Sequence, residues 1–416
     1  MNKNRQKIVV VGLGYIGLPT ASMLATKGHQ VLGVDINEAA VNTINSGKIH
    51  IVEPDLDILV RSAVNSGNLR ASLVPEEADT FILAVPTPFK SGKEGPEKIP
   101  DISFIEAATR AIAPFLREGN LVILESTSPV GTTERIGEII AELRPDLINA
   151  KCKTQHSTLI FIAHCPERVL PGHIIRELVD NDRIIGGLDK ASAEKARDLY
   201  KTFCNGGIFL TDSKTAEMAK LVENSSRDVN IAFANELSMI CDKLGINVWE
   251  LIGLANKHPR VNILQPGPGV GGHCIAVDPW FIVAAAPNEA RMIRTAREVN
   301  DAKPTWVLDK VIAKSTRFKN PVIGCLGLAF KANIDDLRES PAMCITRDLI
   351  NAGVGRVMAC EPNAHDGFKE FPLFELGEVL READILLLLV DHEEFQGVDR
   401  ELLKEKVLID TRGVWR

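Results

Sequence analysis

The sequence lacks the features of several large protein classes. Its 416 residues hold no run near the roughly 18 uncharged apolar residues of a membrane helix, and residues 1–7 carry no apolar signal core. The eight cysteines form no C-x-x-C pair and no close Cys/His spacing, which argues against structural zinc or disulfides. A net charge of -7 without a basic stripe argues against nucleic acid as the partner. We expect a cytoplasmic, metal-free enzyme.

The length and the order of predicted elements indicate several domains. A chain of 416 residues exceeds one ordinary hydrophobic core. Strands and helices alternate near both ends, which predicts an α/β fold with two Rossmann-like doubly wound domains joined by a helical central segment. The predicted domains are 1–205, 206–302 and 303–416.

The N-terminal segment carries a glycine fingerprint in its full context. A predicted strand, Ile8–Val11, leads into Gly12-Leu-Gly14-Tyr-Ile-Gly17, a helix over Leu18–Lys27 and a second strand that ends in Asp35. Such glycines permit a tight turn and close approach of the backbone to a pyrophosphate at the helix N-terminus. Asp35 would bind the adenosine ribose and repel a 2'-phosphate, so the pattern predicts NAD binding.

Polar side chains follow three further predicted strands, Phe81–Val85, Leu121–Leu124 and Leu159–Ala163. Ligands of open α/β sheets bind beyond the carboxyl ends of strands, so Thr87, Thr127 and Glu167 are expected to face a cofactor or a reacting group. The alternative is that the two threonines only cap helices.

The segment Gly271–Pro279 places Cys274 in a glycine-flanked loop, with Asp278 four positions later. A thiol in such a loop is open to a substrate, whereas a structural thiol usually lies on a regular apolar element. Both interpretations remain open at this point.

A long helix is predicted over Ser213–Leu244, which contains no Gly or Pro. Lys220, Asn224 and Arg227 share one face, either a catalytic or anion-binding surface or a solvated polar one. A second helix is predicted over Glu289–Asn300, with a break at Lys303-Pro304. A buried apolar stripe is predicted on the long helix at Val229, Phe233, Leu237, Ile240, Cys241 and Leu244.

The C-terminal third repeats an α/β pattern without a second glycine fingerprint. Basic residues near predicted strand ends would hold phosphates or complete the site: Lys331, Arg338 and Arg412. The predicted strands are Val322–Leu326, Arg356–Cys360, Ile385–Val390 and Val407–Ile409.

Several longer motifs resemble the UDP-glucose/UDP-mannuronate dehydrogenase family over essentially the whole chain. They begin at Gly12 (GLGYIGLP), Glu125 (ESTSPVG), Cys165 (CPERVLPG), Lys220 (KLVEN), His258 (HPRVN), Gly269 (GVGGHCIAVDP) and Gly327 (GLAFK). The resemblance implies an NAD domain, a central helical segment that forms a homodimer, and a C-terminal UDP-binding domain.

The resemblance also implies a reaction and its residues. The reaction is oxidation of a UDP-sugar at C6 from alcohol through aldehyde to carboxylate, with two NAD used in succession. Cys274 would form a thiohemiacetal and then a thioester, with Lys220 as acid/base, Asn224 stabilising the oxyanion, and Asp278 and Glu167 assisting water and proton transfer. The implied NAD contacts are Gly12, Gly14, Tyr15, Ile16, Gly17, Asp35, Thr87, Thr127 and Arg338. The implied UDP-sugar contacts are Arg168, Val169, Lys220, Asn224, Arg227, His258, Arg260, Gly271, Phe330, Lys331 and Arg412, of which Arg260 would reach a neighbouring subunit's site.

The motifs around His273 and Pro171 resemble the family branch that oxidises UDP-N-acetylmannosamine in surface polysaccharide biosynthesis. His273, His258 and Arg227 would read the acetamido group, but the sequence does not fix the epimer. Two other functions compete. A single-step β-hydroxyacid dehydrogenase needs no thiol, and an NAD-responsive binding protein would carry an inert Cys274.

Overall fold

A computed structural model describes residues 5–90, 98–147, 159–170, 172–272, 274–364 and 368–415. The predictions for Pro171 and His273 lie outside these residues. The chain divides into two compact units, Met1–Val222 and Glu223–Arg416. Within the described ranges, no helix has both the length and the hydropathy to cross a bilayer.

The first unit is built on an eight-stranded sheet of order β3-β2-β1-β4-β5-β6-β7-β8. Neighbouring strands run parallel except β6 and β7, which pair antiparallel. The predicted strands β1, β2, β4, β5 and β6 are confirmed to within about two residues, whereas β3, β7 and β8 were missed. The strands are β1 Lys7–Val11, β2 Gln30–Val34, β3 Leu69–Ser72, β4 Thr80–Leu83, β5 Leu121–Leu124, β6 Phe161–His164, β7 Arg183–Gly187 and β8 Ile208–Asp212.

Both faces of this sheet are covered. Along β1, Ile8 and Val10 belong to one buried cluster, and Val9 and Val11 belong to another. A strand whose two faces are both buried reads as a continuous apolar run, as β1 does. The helices are α1 Gly17–Thr26, α2 Glu38–Asn45, α3 Leu56–Asn65, α4 Ser103–Ile112, α5 Thr132–Leu143, α6 Ile174–Asp180 and α7 Lys190–Tyr200, with 3-10 turns at Ala113–Phe115 and Pro145–Leu147.

Helix α8 spans Ser213–Leu244, as predicted, and the boundary between the units falls within it. Its 32 residues correspond to a length of about 48 Å, and Gly245, with φ 70°, follows its last residue. The predicted buried stripe is wrong for the single chain. Phe233, Ile240 and Leu244 are 54%, 44% and 63% exposed, and of that stripe Cys241 is fully buried.

The second unit holds a four-stranded parallel sheet of order β10-β9-β11-β12. Its strands alternate between two buried clusters, because Ile323 and Cys325 pack on one face and Leu326 and Met358 on the other. The strands are β9 Val322–Leu326, β10 Arg356–Cys360, β11 Ile385–Leu388 and β12 Val407–Asp410. The helices after α8 are α9 Val248–Ala255, α10 Asp278–Ala285, α11 Arg291–Ser315, α12 Pro341–Ala352, α13 Leu376–Glu382 and α14 Glu393–Gln396, with a 3-10 turn at Arg400–Leu403.

The predicted helix break at Lys303-Pro304 is wrong, because α11 continues through Pro304. A proline inside a helix costs about 3 kcal/mol. Val307 and Val311, beyond the proline, are fully buried in the core of the second unit, and their packing offsets this cost. Pro304 also packs against the loop that carries Cys274, since a Cβ on Gly269 would lie 3.0 Å from its Cγ.

Candidate active site

The glycine turn between β1 and α1 is built for close backbone approach. Gly12 has φ 92°, and a Cβ there would lie 2.6 Å from the carbonyl oxygen of Ala84. A Cβ on Gly17 would lie 1.8 Å from the carbonyl oxygen of Gly12, whereas a Cβ on Gly14 would meet nothing within 4 Å. Gly12 and Gly17 therefore shape the turn, and Gly14 leaves open space at the place where a pyrophosphate approaches in this fold.

The residues after this turn fit a dinucleotide. Ile16 is the N-cap residue of α1 and makes no side-chain cap hydrogen bond, and Tyr15 is 39% exposed. Asp35 follows β2, and its carboxylate accepts hydrogen bonds from the backbone N–H groups of Leu13, at 2.8 Å, and Asn37, at 2.9 Å. The helix N-terminus and this half-exposed carboxylate are the groups that hold pyrophosphate and ribose in dinucleotide-binding sheets.

The structure brings Thr87 and Thr127 together at the carboxyl ends of β4 and β5. The Thr87 hydroxyl donates to the carbonyl oxygen of Thr127 at 2.5 Å. Neither is the N-cap residue of a described helix, so the capping interpretation is wrong.

Glu167 lies in a buried polar cluster beyond β6. It is 7% exposed, its Oε2 lies 3.0 Å from Nη1 of Arg183, and its Oε1 accepts from the backbone N–H of Arg168. Glu125, after β5, accepts from the Tyr200 hydroxyl at 2.7 Å. Burial, followed by repulsion from Glu167, raises the pKa of Glu125 to about 7. The Arg183 guanidinium thus forms an ion pair with Glu167 and also attracts the charge of the buried Glu125.

Three more predicted residues lie near the end of the first unit. Arg168 donates from Nη2 to the carbonyl oxygen of Asp182, and Val169 follows it, half-buried, in the same loop. Lys220 is half-buried on α8. On the same helix, Glu217 accepts from the backbone N–H groups of Gly131 and Thr133, which fixes the start of α5.

In the second unit, Cys274 is exposed and lies four positions before the first residue of α10, Asp278. Its carbonyl oxygen accepts from the backbone N–H groups of Val277, at 3.0 Å, and Asp278, at 2.9 Å. Asp278 is 4% exposed, and its Oδ2 accepts from Nδ2 of Asn224 at 2.5 Å. Asn224 therefore contacts the residue that ends the cysteine loop, while its predicted role in oxyanion stabilisation stays a prediction. The buried cysteines of the described chain, in contrast, lie on regular elements or in the core.

A shallow cleft lies beside this loop, and several predicted substrate residues line it. Phe330, Lys331 and Arg412 line it, and Nε of Arg412 donates to Oδ1 of Asp391 at 2.9 Å. A Cβ on Gly271 would lie 3.0 Å from Cβ of Phe330, so the loop and this wall are in direct contact. Two cations and one aromatic ring around a cleft are suited to a nucleoside diphosphate.

Other predicted residues are not gathered at this cleft. Arg227 is exposed on α8, and His258 and Arg260 are exposed in the turn after α9. Arg338 is exposed and paired with Asp336, with Nη2 2.7 Å from Oδ2. Their roles stay predictions.

Sequence reasoning missed Arg183, Tyr200, Asn235 and Glu361. Arg183 and Tyr200 carry no local motif, since they meet Glu167 and Glu125 only through the fold. Asn235 had a usable signal, because it lies on the same face of α8 as Asn224.

At the carboxyl end of the second sheet, Glu361 takes the place that Asp35 has in the first sheet, but its surroundings differ. It follows β10, as Asp35 follows β2, and its Oε2 accepts from the backbone N–H groups of Leu328, at 2.6 Å, and Ala329, at 2.9 Å. His392 lies 3.1 Å from the same oxygen. Burial opposes ionisation, but these hydrogen bonds prevail and lower the pKa of Glu361.

Comparison with known proteins finds three domains of the UDP-glucose/GDP-mannose dehydrogenase family. The NAD binding domain matches residues 6–204, the central domain residues 214–302 and the UDP binding domain residues 324–416. Together they account for most of the chain.

Full-length relatives agree with this result. The chain is 60% identical to an NDP-N-acetyl-D-galactosaminuronic acid dehydrogenase of Ralstonia nicotianae, over 98% of this chain and 96% of the relative. It is 55% identical to the UDP-N-acetyl-D-mannosamine dehydrogenase of Escherichia coli K12, over 98% and 99%. A solved UDP-N-acetyl-mannosamine dehydrogenase from Staphylococcus aureus is 43% identical, with TM-score 0.84 over 98% of this chain and 95% of that one. The chain therefore belongs to the UDP-glucose/GDP-mannose dehydrogenase family.

Proposed function

We propose that the protein oxidises UDP-N-acetyl-D-mannosamine at C6 to UDP-N-acetyl-D-mannosaminuronate, a four-electron reaction that supplies surface polysaccharide biosynthesis. The observation that carries the proposal is the exposed Cys274 on a loop whose end, Asp278, is bound by Asn224. The first oxidation, from alcohol to aldehyde, needs a base and a hydride acceptor. The second needs a nucleophile as well, because an aldehyde has no hydride to release until something adds to its carbonyl carbon.

Cys274 supplies that nucleophile. Its sulfur adds to the aldehyde carbon to form a thiohemiacetal, whose C–H bond then yields the hydride and leaves a thioester. Water attacks the thioester carbon, the C–S bond breaks, and the sugar acid leaves with the thiol restored. The glycine turn at Gly12 and Gly14, the start of α1 and the Asp35 carboxylate would hold NAD, which would supply the hydride acceptor for each oxidation, so one turnover would use two NAD in succession.

The charged residues manage protons and oxyanions. Lys220 accepts the hydroxyl proton of the alcohol as the hydride leaves, and donates a proton to the aldehyde oxygen when the Cys274 sulfur adds. With Asn224 it stabilises the oxygen of the tetrahedral intermediates. Asp278, fixed by Asn224, assists the attacking water. Glu167 is held by Arg183 in a buried cluster, which favours a role in orienting groups near the strand ends over one as a freely titrating base.

The cleft in the second unit is suited to the diphosphate and uridine of the substrate. Lys331 and Arg412 provide the positive charge, and Phe330 provides an aromatic surface. His258, Arg260 and Arg227, all exposed, are assigned to substrate contacts that a second subunit completes. The exposed Phe233, Ile240 and Leu244 on α8 support a homodimer, because an apolar stripe of this size is normally covered.

A second substrate is favoured by the relatives. The Ralstonia nicotianae relative, at 60% identity, is named for an N-acetylgalactosaminuronic acid nucleotide. The candidate sugars differ only in the orientation of the acetamido group at C2 and of the hydroxyl group at C4, which pocket contacts distinguish by about a few kcal/mol. Steady-state kcat/KM values for UDP-N-acetylmannosamine, UDP-N-acetylglucosamine and UDP-N-acetylgalactosamine identify the substrate, and a clear preference for the galactosamine nucleotide would replace the mannosamine assignment.

The thiol mechanism is tested by counting NADH per sugar consumed. The wild-type protein is expected to form two and to release the acid. Cys274→Ala should form at most one and no acid, whereas Cys344→Ala is the matched control, because Cys344 is also exposed but lies on α12. Acid formation by Cys274→Ala at the wild-type rate would refute the nucleophile, and one NADH per sugar in the wild type would indicate a single-step dehydrogenase.

A further inference from the structure

The loop that carries Cys274 is held at both ends by asparagines of helix α8. At its end, Nδ2 of Asn224 donates to Oδ2 of Asp278. At its start, Oδ1 of Asn235 accepts from the backbone N–H of Gly267 at 2.9 Å. The two asparagines are eleven positions apart, which is about three helical turns, so they lie on the same face roughly 16 Å from each other. One rigid element therefore sets both ends of the loop.

Asn235 is itself held by a chain of buried polar groups. Its Nδ2 donates to Oδ1 of Asn300 at 2.9 Å, and Nδ2 of Asn300 donates to Oδ1 of Asp228 at 2.8 Å. Arg297 completes the chain with a hydrogen bond from Nη1 to the same Asp228 oxygen at 2.5 Å. All four side chains are at most 1% exposed. The amide of Asn235 can turn only by breaking hydrogen bonds that water cannot replace, which makes it a rigid anchor.

The loop needs such an anchor because its backbone is weakly constrained after Pro268. Glycine occupies positions 267, 269, 271 and 272, and Gly269 and Gly272 have φ values of 150° and 83°. Glycines lose the most conformational entropy on ordering, so this stretch does not fix the position of the thiol by its own preferences. Close packing of the loop against Phe330 and Pro341 supplies some order. Among the described residues in the first half of the loop, the hydrogen bond from the Gly267 N–H to Asn235 fixes the position at which the backbone enters the loop.

We propose that Asn235 is a positioning residue for Cys274: through Gly267 it sets the path of the loop on which the thiol reaches the substrate. The inference rests on the proposed function, in which Cys274 is the nucleophile of the second oxidation. Because the first oxidation does not use the thiol, a misplaced loop should slow aldehyde oxidation much more than alcohol oxidation. A displacement of about 1 Å costs on the order of 100-fold in rate when reacting groups must meet.

The test compares two rates in one protein. UDP-N-acetylmannosamine and its chemically prepared C6 aldehyde are supplied separately with NAD, and the ratio of aldehyde to alcohol oxidation is measured. Asn235→Ala is expected to lower this ratio at least about tenfold. Asn230→Ala is the matched control, since Asn230 is exposed on α8 and donates within that helix, to the carbonyl oxygen of Ser226. It should keep the wild-type ratio.

A conservative variant separates positioning from stability. Asn235→Asp keeps the acceptor for the Gly267 N–H and loses the donor to Asn300, so it should be less stable than wild type yet stay within about threefold of the wild-type ratio. If Asn235→Ala does not fold, Asn235→Ser replaces it, because a serine hydroxyl is too short to reach Gly267. A folded Asn235→Ala or Asn235→Ser with the wild-type ratio, or an Asn235→Asp ratio as low as theirs, would overturn the proposal. One NADH per sugar in the wild type would instead overturn the proposed function and leave the anchor without a catalytic role.

Discussion

Replacing Glu125 by glutamine should remove a pH-dependent loss of stability from the first unit. The carboxyl group is 1% exposed and shares Arg183 with Glu167. Burial and then the Glu167 charge raise its pKa from 4.5 to about 7. Glutamine has the shape of the protonated acid and can still accept from Tyr200, but it never ionises.

The direction in which stability changes with pH follows from which state, folded or unfolded, binds the Glu125 proton more tightly. Between pH 4.5 and about 7 the folded protein holds the Glu125 proton more tightly than the unfolded chain does. The stabilisation is complete below pH 4.5, decreases as pH rises toward 7, and changes no further above it. Each pH unit within this interval changes the free energy of unfolding by about 1.4 kcal/mol. From pH 5.5 to 7 the wild type should therefore lose about 2 kcal/mol of stability that the glutamine variant keeps.

Amide hydrogen exchange of β5 measures this difference within the first unit. At each pH the ratio of wild-type to variant exchange rates cancels the intrinsic chemistry. This ratio should rise about 30-fold between pH 5.5 and pH 8.5, which corresponds to about 2 kcal/mol. Glu118→Gln, at an exposed position of the same unit, should show a constant ratio. A constant ratio for Glu125→Gln as well would mean that the buried cluster does not hold a proton at neutral pH.

Three further perturbations test other parts of the molecule. Gly12→Ala should abolish NAD binding in calorimetry, because its Cβ would clash with the backbone of Ala84. Gly14→Ala, whose Cβ meets nothing within 4 Å, should keep the wild-type melting temperature and weaken NAD binding at least about tenfold. Equal effects of the two variants would contradict the separate roles of Gly12 in shaping the turn and Gly14 in leaving space for the pyrophosphate. Gly271→Ala should raise KM for the UDP-sugar several-fold, because its Cβ would lie 2.5 Å from the Glu339 carbonyl oxygen and 2.7 Å from Cδ of Pro341 and would push the loop away from Phe330. An unchanged KM would argue against the cleft. Burial lowers the pKa of Lys303 from 10.5 to about 7, so between pH 7 and pH 10.5 the unfolded chain binds a proton that the folded protein does not. Within that interval the hydrogen-exchange stability of α11 should rise by about 1.4 kcal/mol per pH unit in the wild type and not in Lys303→Met, and parallel pH profiles would contradict this.

The sequence predicted those parts of the fold that depend on local pattern. Strands β1, β5, β9 and β10 and helix α8 are continuous apolar or uninterrupted runs, and their bounds were nearly right. The α11 break failed because tertiary packing of Val307 and Val311 outweighs a local helix breaker such as Pro304.

The candidate site likewise has a part that the local sequence pattern predicts and a part that depends on tertiary contacts. The glycine turn and the Cys274 loop are readable because their chemistry lies in contiguous residues. The partners that hold them are not contiguous: Arg183 reaches Glu167 from a different strand, and Asn300 reaches Asn235 from a different helix. The stripe at Phe233 and Ile240 was assigned to the core because periodicity shows that a face is apolar and does not show what covers it.

The carboxylate of Glu361 has a consequence for inhibitor selectivity. In the first sheet, one carboxylate oxygen of Asp35 accepts a hydrogen bond from the backbone N–H of Leu13 and the other accepts one from Asn37. The carboxylate stays half-exposed, so the hydroxyl groups of a ribose can still reach it. In the second sheet, Glu361 is 6% exposed, and its carboxylate already contacts three backbone N–H groups, those of Leu328, Ala329 and Asn363, and the imidazole of His392. A ribose hydroxyl would have to displace them at a cost of about 1–3 kcal/mol for each donor left unpaired. Adenosine-mimicking compounds should therefore compete for the first crevice alone, and dead-end inhibition patterns against the dinucleotide would reveal it.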